Sequence, residues 1–82
     1  MYMEDATPPH PGHVLLDQFV LPRRETITRL ARQMGVPLGM LQRVVAGESS
    51  ISRALAHKLA QHYGPPVDFW LRLQLHYDQQ AA

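Results

Sequence analysis

Apolar residues recur along this chain at the spacing of amphipathic helices, and glycines and prolines separate the recurring segments. Apolar side chains at positions i, i+3, i+4 and i+7 form one stripe on a helix. This spacing predicts five helices, and no alternating run of β-branched residues competes with them. The predicted fold class is therefore all-α. The five helices are predicted to begin near Pro11, Thr26, Pro37, Ser52 and either Pro66 or Val67.

The second and third predicted helices are joined by a short turn. Thr26 is a suitable N-cap for a helix over residues 27–35, and the next helix covers about residues 37–46. Gly35 can take the positive φ that ends the first of these helices, and Ala31 is small where the two must cross. This is the layout of a helix-turn-helix, whose second helix is free to enter a DNA major groove.

The fifth predicted helix is apolar on nearly every side. A single packing surface within a domain of 82 residues cannot cover all of those side chains. We therefore expect a second subunit, or a different protein, to cover the remainder. The predicted dimer interface consists of Phe69, Trp70, Leu71 and Leu75.

Two parts of the chain differ in composition. Residues 1–9 contain two acidic residues and two prolines but no apolar period, which predicts a flexible N-terminal arm. Residues 10–82 contain all the helical patterns, which predicts one helix-turn-helix domain that ends in a dimerisation helix. A domain this small buries only about 60–65% of its unfolded surface, so dimerisation would add useful burial.

The composition excludes several classes of protein. With 45% hydrophobic and 18% charged residues the chain is too apolar for a disordered protein, and no apolar run reaches bilayer length. It has no cysteine, and its N-terminus lacks the pattern of a signal peptide. We therefore expect a soluble cytoplasmic protein without disulfides or membrane contact.

The formal net charge is only +1, so a surface for nucleic acid would require clustered positive charge. Five arginines occupy the centre of the chain, while most acidic residues lie towards its ends. This distribution fits either a solvent-exposed helix surface or a DNA-binding face. The arginines are Arg23, Arg24, Arg29, Arg32 and Arg43.

Other chemistry has little support in the sequence. The five histidines do not form a metal-binding motif, and there is no thiolate or matched carboxylate set. The serines near position 50 have no Gly-rich elbow or paired base, so they are expected to serve as caps or loop residues. We expect no enzyme activity, no metal, no cofactor and no small-molecule substrate.

The order of several motifs resembles a known family. They are residues 9–12 (PHPG) opening the first helix, residues 28–36 (TRLARQMGV) at the turn, Ile51 with Ala56 and Leu59, residues 69–74 (FWLRLQ), and Tyr77 with Asp78. Together they resemble the HigA-type antitoxins, the VapI group of the Xre/Cro helix-turn-helix superfamily. The similarity extends from His10 to Asp78.

This resemblance implies a five-helix, lambda-repressor-like helix-turn-helix fold and two partners. Such proteins dimerise, neutralise a HigB-like mRNA ribonuclease toxin and repress their own operon by binding operator DNA. Gln42 can pair with an adenine edge and Arg43 with guanine or phosphate, whereas Leu38 and Met40 can only contact a thymine methyl. Carried over by position, the DNA-binding residues become Thr26, Thr28, Leu38, Gly39, Met40, Gln42 and Arg43.

Two alternatives stay open at this point. The apolar residues at the start of the third helix also fit a contact patch for a protein, which would make the chain a toxin-binding module with little affinity for DNA. The same fold also serves phage-type transcriptional regulators that have no toxin. A gel shift with the chain's own promoter and the identity of the neighbouring gene separate these readings.

Overall fold

A computed structural model describes residues 8–81, which contain five α-helices and no strand. The predicted all-α, five-helix class is confirmed. Residues 1–7 of the predicted N-terminal arm, together with Ala82, lie outside the described part of the chain. The helices are α1 (Pro11–Leu15), α2 (Ile27–Met34), α3 (Leu38–Val45), α4 (Arg53–His62) and α5 (Val67–Ala81), and a π-helical segment (Leu16–Val20) directly follows α1.

Local side-chain chemistry sets the ends of the central helices as predicted. The Thr26 hydroxyl accepts a hydrogen bond of 3.1 Å from the Arg29 N–H at the start of α2. The Ser52 hydroxyl accepts an equivalent bond of 3.1 Å from the Leu55 N–H at the start of α4. Gly35 ends α2 in the left-handed conformation with φ of 72°, which a residue without a Cβ adopts at little cost.

The first predicted helix, which begins at Pro11, is not regular along its whole length. Its last turn is widened, because the Leu21 N–H donates to the Leu16 carbonyl oxygen at 2.9 Å across five residues. In a regular α-helix, residues five apart point in directions roughly 140° apart. The wider turn brings Val20 back towards the side of Leu15, and both side chains are buried.

The core lies between all five helices. α5 packs along α4, and α1 crosses α3 so closely that a Cβ built on Gly12 would overlap the Val44 carbonyl oxygen and lie 2.6 Å from its carbon. The Gln74 side-chain oxygen accepts a 2.8 Å hydrogen bond from the Ile51 N–H and so ties α5 to the start of the α4 segment. The largest fully buried side chains include Trp70, Leu15, Leu30, Leu41, Leu55 and Leu59.

The structure corrects one residue of the predicted dimer interface. Trp70 has no exposed surface in the monomer and packs 5.1 Å from the Phe19 ring, so it belongs to the domain's own core. Phe69 and Leu71 are both half-buried. They lie on opposite flanks of α5, because the side chains of residues two apart in a helix point in directions about 200° apart. Leu75 is 53% exposed and lies on the same flank as Leu71.

No helix among residues 8–81 is both long enough and apolar enough to cross a bilayer.

Candidate nucleic-acid interface

The outer face of α3 is free of contacts with the rest of the domain. Leu41 and Val44 on its inner face are buried in the core, at 0% and 1% exposure. Gly39, Gln42 and Arg43 are all exposed. In a helix that turns by about 100° per residue, these three positions lie opposite the buried pair. The helix-turn-helix arrangement therefore presents α3 towards solvent, as the sequence predicts.

The start of α3 carries little side-chain bulk. Gly39 has no atom of another element within 4 Å of its Cβ direction, so a groove wall can approach the backbone at this point. Leu38 and Met40 lie on either side of Gly39 and are half-buried, each packed partly against the core. They offer apolar edges rather than hydrogen-bond donors, as the sequence indicates.

An open cleft of about 410 Å³ runs along one side of α2, from its N-cap to its last turn. It is lined by the predicted residues Thr26 and Thr28 and by three side chains absent from the predicted set, Arg29, Arg32 and Gln33. Hydroxyl, amide and guanidinium groups are among the groups that bind phosphate oxygens in DNA complexes. Their spacing at positions 28, 29, 32 and 33 of one helix could have indicated this shared surface.

The helix-turn-helix segment is positive throughout. Residues 26–47 include three arginines and no acidic residue. Glu25, immediately before the segment, is turned to the core side, where its carboxylate accepts a 2.6 Å hydrogen bond from the Tyr63 hydroxyl. Burial, reinforced by this hydrogen bond to Glu25, raises the pKa of Tyr63 well above its ordinary value. The phenol therefore stays protonated and keeps donating to Glu25.

The five-arginine cluster expected from the sequence is divided in the structure. Arg23 places its guanidinium carbon 4.8 Å from the Tyr63 ring centroid and 5.6 Å from that of Phe19. It also donates a 3.3 Å hydrogen bond to the Phe19 carbonyl oxygen. Arg24 occupies a tight turn with φ of 57°. Arg23 is therefore engaged in packing the α1–α2 connection, which leaves Arg29, Arg32 and Arg43 as the arginines of the α2–α3 unit.

Similar proteins place this geometry in a family. No family model matches the sequence. Virulence-associated protein A of Dichelobacter nodosus is 34% identical over 71 residues, which span 85% of this chain and 70% of the relative. A solved addiction module antidote protein of the HigA family from Coxiella burnetii is 31% identical, with a TM-score of 0.85 over 92% of this chain and 82% of the other. The chain belongs to the HigA-type helix-turn-helix antitoxins.

A second similar structure is that of an antitoxin solved with DNA. The Pseudomonas aeruginosa antitoxin HigA, solved with the higBA promoter, is 28% identical and has a TM-score of 0.87 over 90% of this chain and 80% of that one. The family predicted from the PHPG and FWLRLQ motifs is thereby confirmed.

Proposed function

We propose that this HigA-type chain is the antitoxin of a toxin–antitoxin pair and represses its own operon by binding operator DNA as a dimer. One observation carries the DNA-binding part: α3 is exposed on a segment that contains three arginines and no acidic residue. A protein with the same arrangement of helices has been solved with a promoter.

In this proposal α3 enters the major groove and α2 contacts the backbone. Gln42 reads an adenine edge, and Arg43 reads guanine or binds a phosphate. Leu38 and Met40 contact thymine methyl groups on either side of Gly39, which allows close approach. Thr26 and Thr28 lie at the phosphate backbone together with the arginines of the α2 cleft.

Dimerisation sets the spacing of the two α3 helices. The described domain measures 39 × 25 × 24 Å, so two copies side by side can hold their α3 helices about 34 Å apart, one turn of duplex DNA. We assign the interface to the flank of α5 that carries Leu71 and Leu75, because Leu75 is one of only two large apolar side chains among residues 8–81 with over half of their surface in solvent, and the other, Leu21, is not in a helix. Phe69 lies on the opposite flank of α5, so it is not part of this proposed interface.

The operator test uses fluorescence anisotropy with a duplex from the chain's own promoter, across a range of salt concentrations. Arg43→Ala and Gln42→Ala should each weaken specific binding by about 1–3 kcal/mol, or roughly 5- to 150-fold. Arg72→Ala is the matched control, since it removes an arginine that is also exposed but lies on α5. Equal affinity for all four proteins, or no operator binding by the parent, would contradict repression through α3.

The toxin test is separate from the operator test. The product of the adjacent reading frame should co-purify with this chain, and its ribonuclease activity should fall as the chain is added to a stoichiometric ratio. An intact complex without operator affinity would favour the toxin-binding module, to which the apolar Leu38 and Met40 edges give some support. Operator binding without any toxin partner would favour a phage-type regulator.

A further inference from the structure

His10 is one of two buried polar residues among residues 8–81, with 3% of its surface exposed. It is the N-cap of α1, where its Nδ1 accepts a 2.9 Å hydrogen bond from the Gly12 N–H. A ring nitrogen that accepts a hydrogen bond carries no proton, so the ring is neutral with its proton on Nε2. The N-cap of α1 thus requires one protonation state of His10.

The ring joins three parts of the domain. Its centroid is 4.8 Å from that of Tyr77 in α5, in an edge-to-face arrangement. Its Cγ would lie 3.8 Å from a Cβ placed on Gly47, in the loop just after α3. The loop that leaves α3 is therefore anchored partly by His10.

The Gly12 N–H that donates to His10 lies at the close crossing of α1 and α3. Gly12 packs directly on the Val44 carbonyl group in the last turn of α3. The cap and the crossing share one residue, so the capped end of α1 and the C-terminal end of α3 hold each other in place.

The groups around the ring favour the neutral form. The pKa of His10 is lowered from its ordinary value of 6.5, first by burial and next by His13, whose ring centroid is 5.9 Å away. The backbone of Ser49 and the carboxylate of Asp78 act in the opposite direction and are outweighed. Protonation would remove the acceptor from the Gly12 N–H and leave a charge in the core.

We propose that the neutral His10 ring is a positioning residue for the DNA-reading helix, and that protonating it loosens α3 from α1 and lowers operator affinity in mild acid. This inference rests on the proposed operator binding. The direction of the effect is diagnostic. The other four histidines, His13, His57, His62 and His76, are exposed, and their protonation would add positive charge and strengthen DNA binding.

The experiment measures operator affinity of the full chain at constant ionic strength from about pH 8 to about pH 5, where histidine titrates. His10→Asn keeps an N-cap acceptor and an N–H donor but cannot take up a proton. The parent should lose about tenfold in affinity, which corresponds to about 1.4 kcal/mol of coupling between protonation of His10 and operator binding. His10→Asn should lose none. His13→Asn, which changes an exposed ring near His10, should keep the acid-induced loss but move its midpoint to a higher pH, because His13 is one of the groups that lower the pKa of His10.

Identical pH profiles for the parent and His10→Asn would overturn the inference. If the parent does not bind the operator at any pH, the proposed function fails instead, and amide hydrogen-exchange protection of Gly12 and of residues 44–49 decides the inference without DNA. That protection should fall in acid for the parent and not for His10→Asn. If His10→Asn does not fold, an NMR titration of the parent's His10 ring replaces it, and a midpoint different from that of the affinity loss refutes the proposal.

Discussion

Gly12→Ala tests the close crossing of α1 and α3 by adding a single methyl group. The new methyl carbon would overlap the Val44 carbonyl oxygen and lie 2.6 Å from its carbon and 3.0 Å from the Val45 Cα. All three are backbone atoms, so α1 has to move away from α3 because no side-chain rotation can relieve the overlap. Overpacking of this kind costs about 1–3 kcal/mol and more where the backbone cannot yield. We expect a loss at the upper end of that range.

Gly39→Ala is the matched control, with the opposite expected sign. Gly39 is also helical, but its Cβ direction is open. Alanine there should stabilise the domain by up to about 1 kcal/mol through helix propensity alone.

The assay is urea denaturation followed by the fluorescence of Trp70, the chain's single tryptophan. A parallel thermal unfolding measurement checks the result, because each kcal/mol corresponds to a shift of about 4–8 °C in the melting temperature of a domain of this size. A Gly12→Ala protein as stable as the parent would refute the close α1–α3 crossing. A Gly39→Ala protein destabilised as much as Gly12→Ala would show that position 39 is packed rather than open.

Three further outcomes are expected. Trp70→Ala should lower the free energy of unfolding by about 3–5 kcal/mol, because the Trp70 ring is fully buried. Leu75→Ala should change monomer stability by less than about 0.5 kcal/mol, and in analytical ultracentrifugation it should shift the dimer towards monomer. Replacing contacted thymines of the operator half-site with uracil, which removes only the methyl groups, should weaken binding by about 0.8 kcal/mol per methyl. In the Met40→Ala protein, replacing the thymine that Met40 contacts should no longer change the affinity. Because burial lowers the pKa of His10 below 6.5, its contribution to the free energy of unfolding should be full above about pH 6.5 and decline as the pH falls below it. A chemical denaturation series against pH, with His10→Asn as the insensitive control, measures that decline.

Features set by a few neighbouring residues could be predicted from the sequence. The caps at Thr26 and Ser52 and the left-handed Gly35 depend on local backbone chemistry, so the sequence pattern locates the helix-turn-helix correctly. The same is true of the outward face of α3, because the buried positions Leu41 and Val44 fix which side faces solvent.

Features set by distant contacts could not be predicted. The widened turn after α1 places Phe19 against Trp70, fifty-one residues further along the chain. α5 is apolar on several sides, and the sequence alone does not say which side meets its own core, which is why Trp70 is wrongly expected at the interface. Arg23 is likewise assigned to the basic cluster because its contact with Tyr63 lies forty residues away.

The separation of α3 into a buried face and an exposed face has an evolutionary consequence. Gly39, Gln42 and Arg43 contribute nothing to the buried core, so substitutions at these positions carry little folding cost. Under the proposed function, operator preference can therefore drift while the domain stays folded. Duplicated copies in one genome would become insulated from each other's promoters through two or three codon changes, with no need to rebuild the protein that carries them.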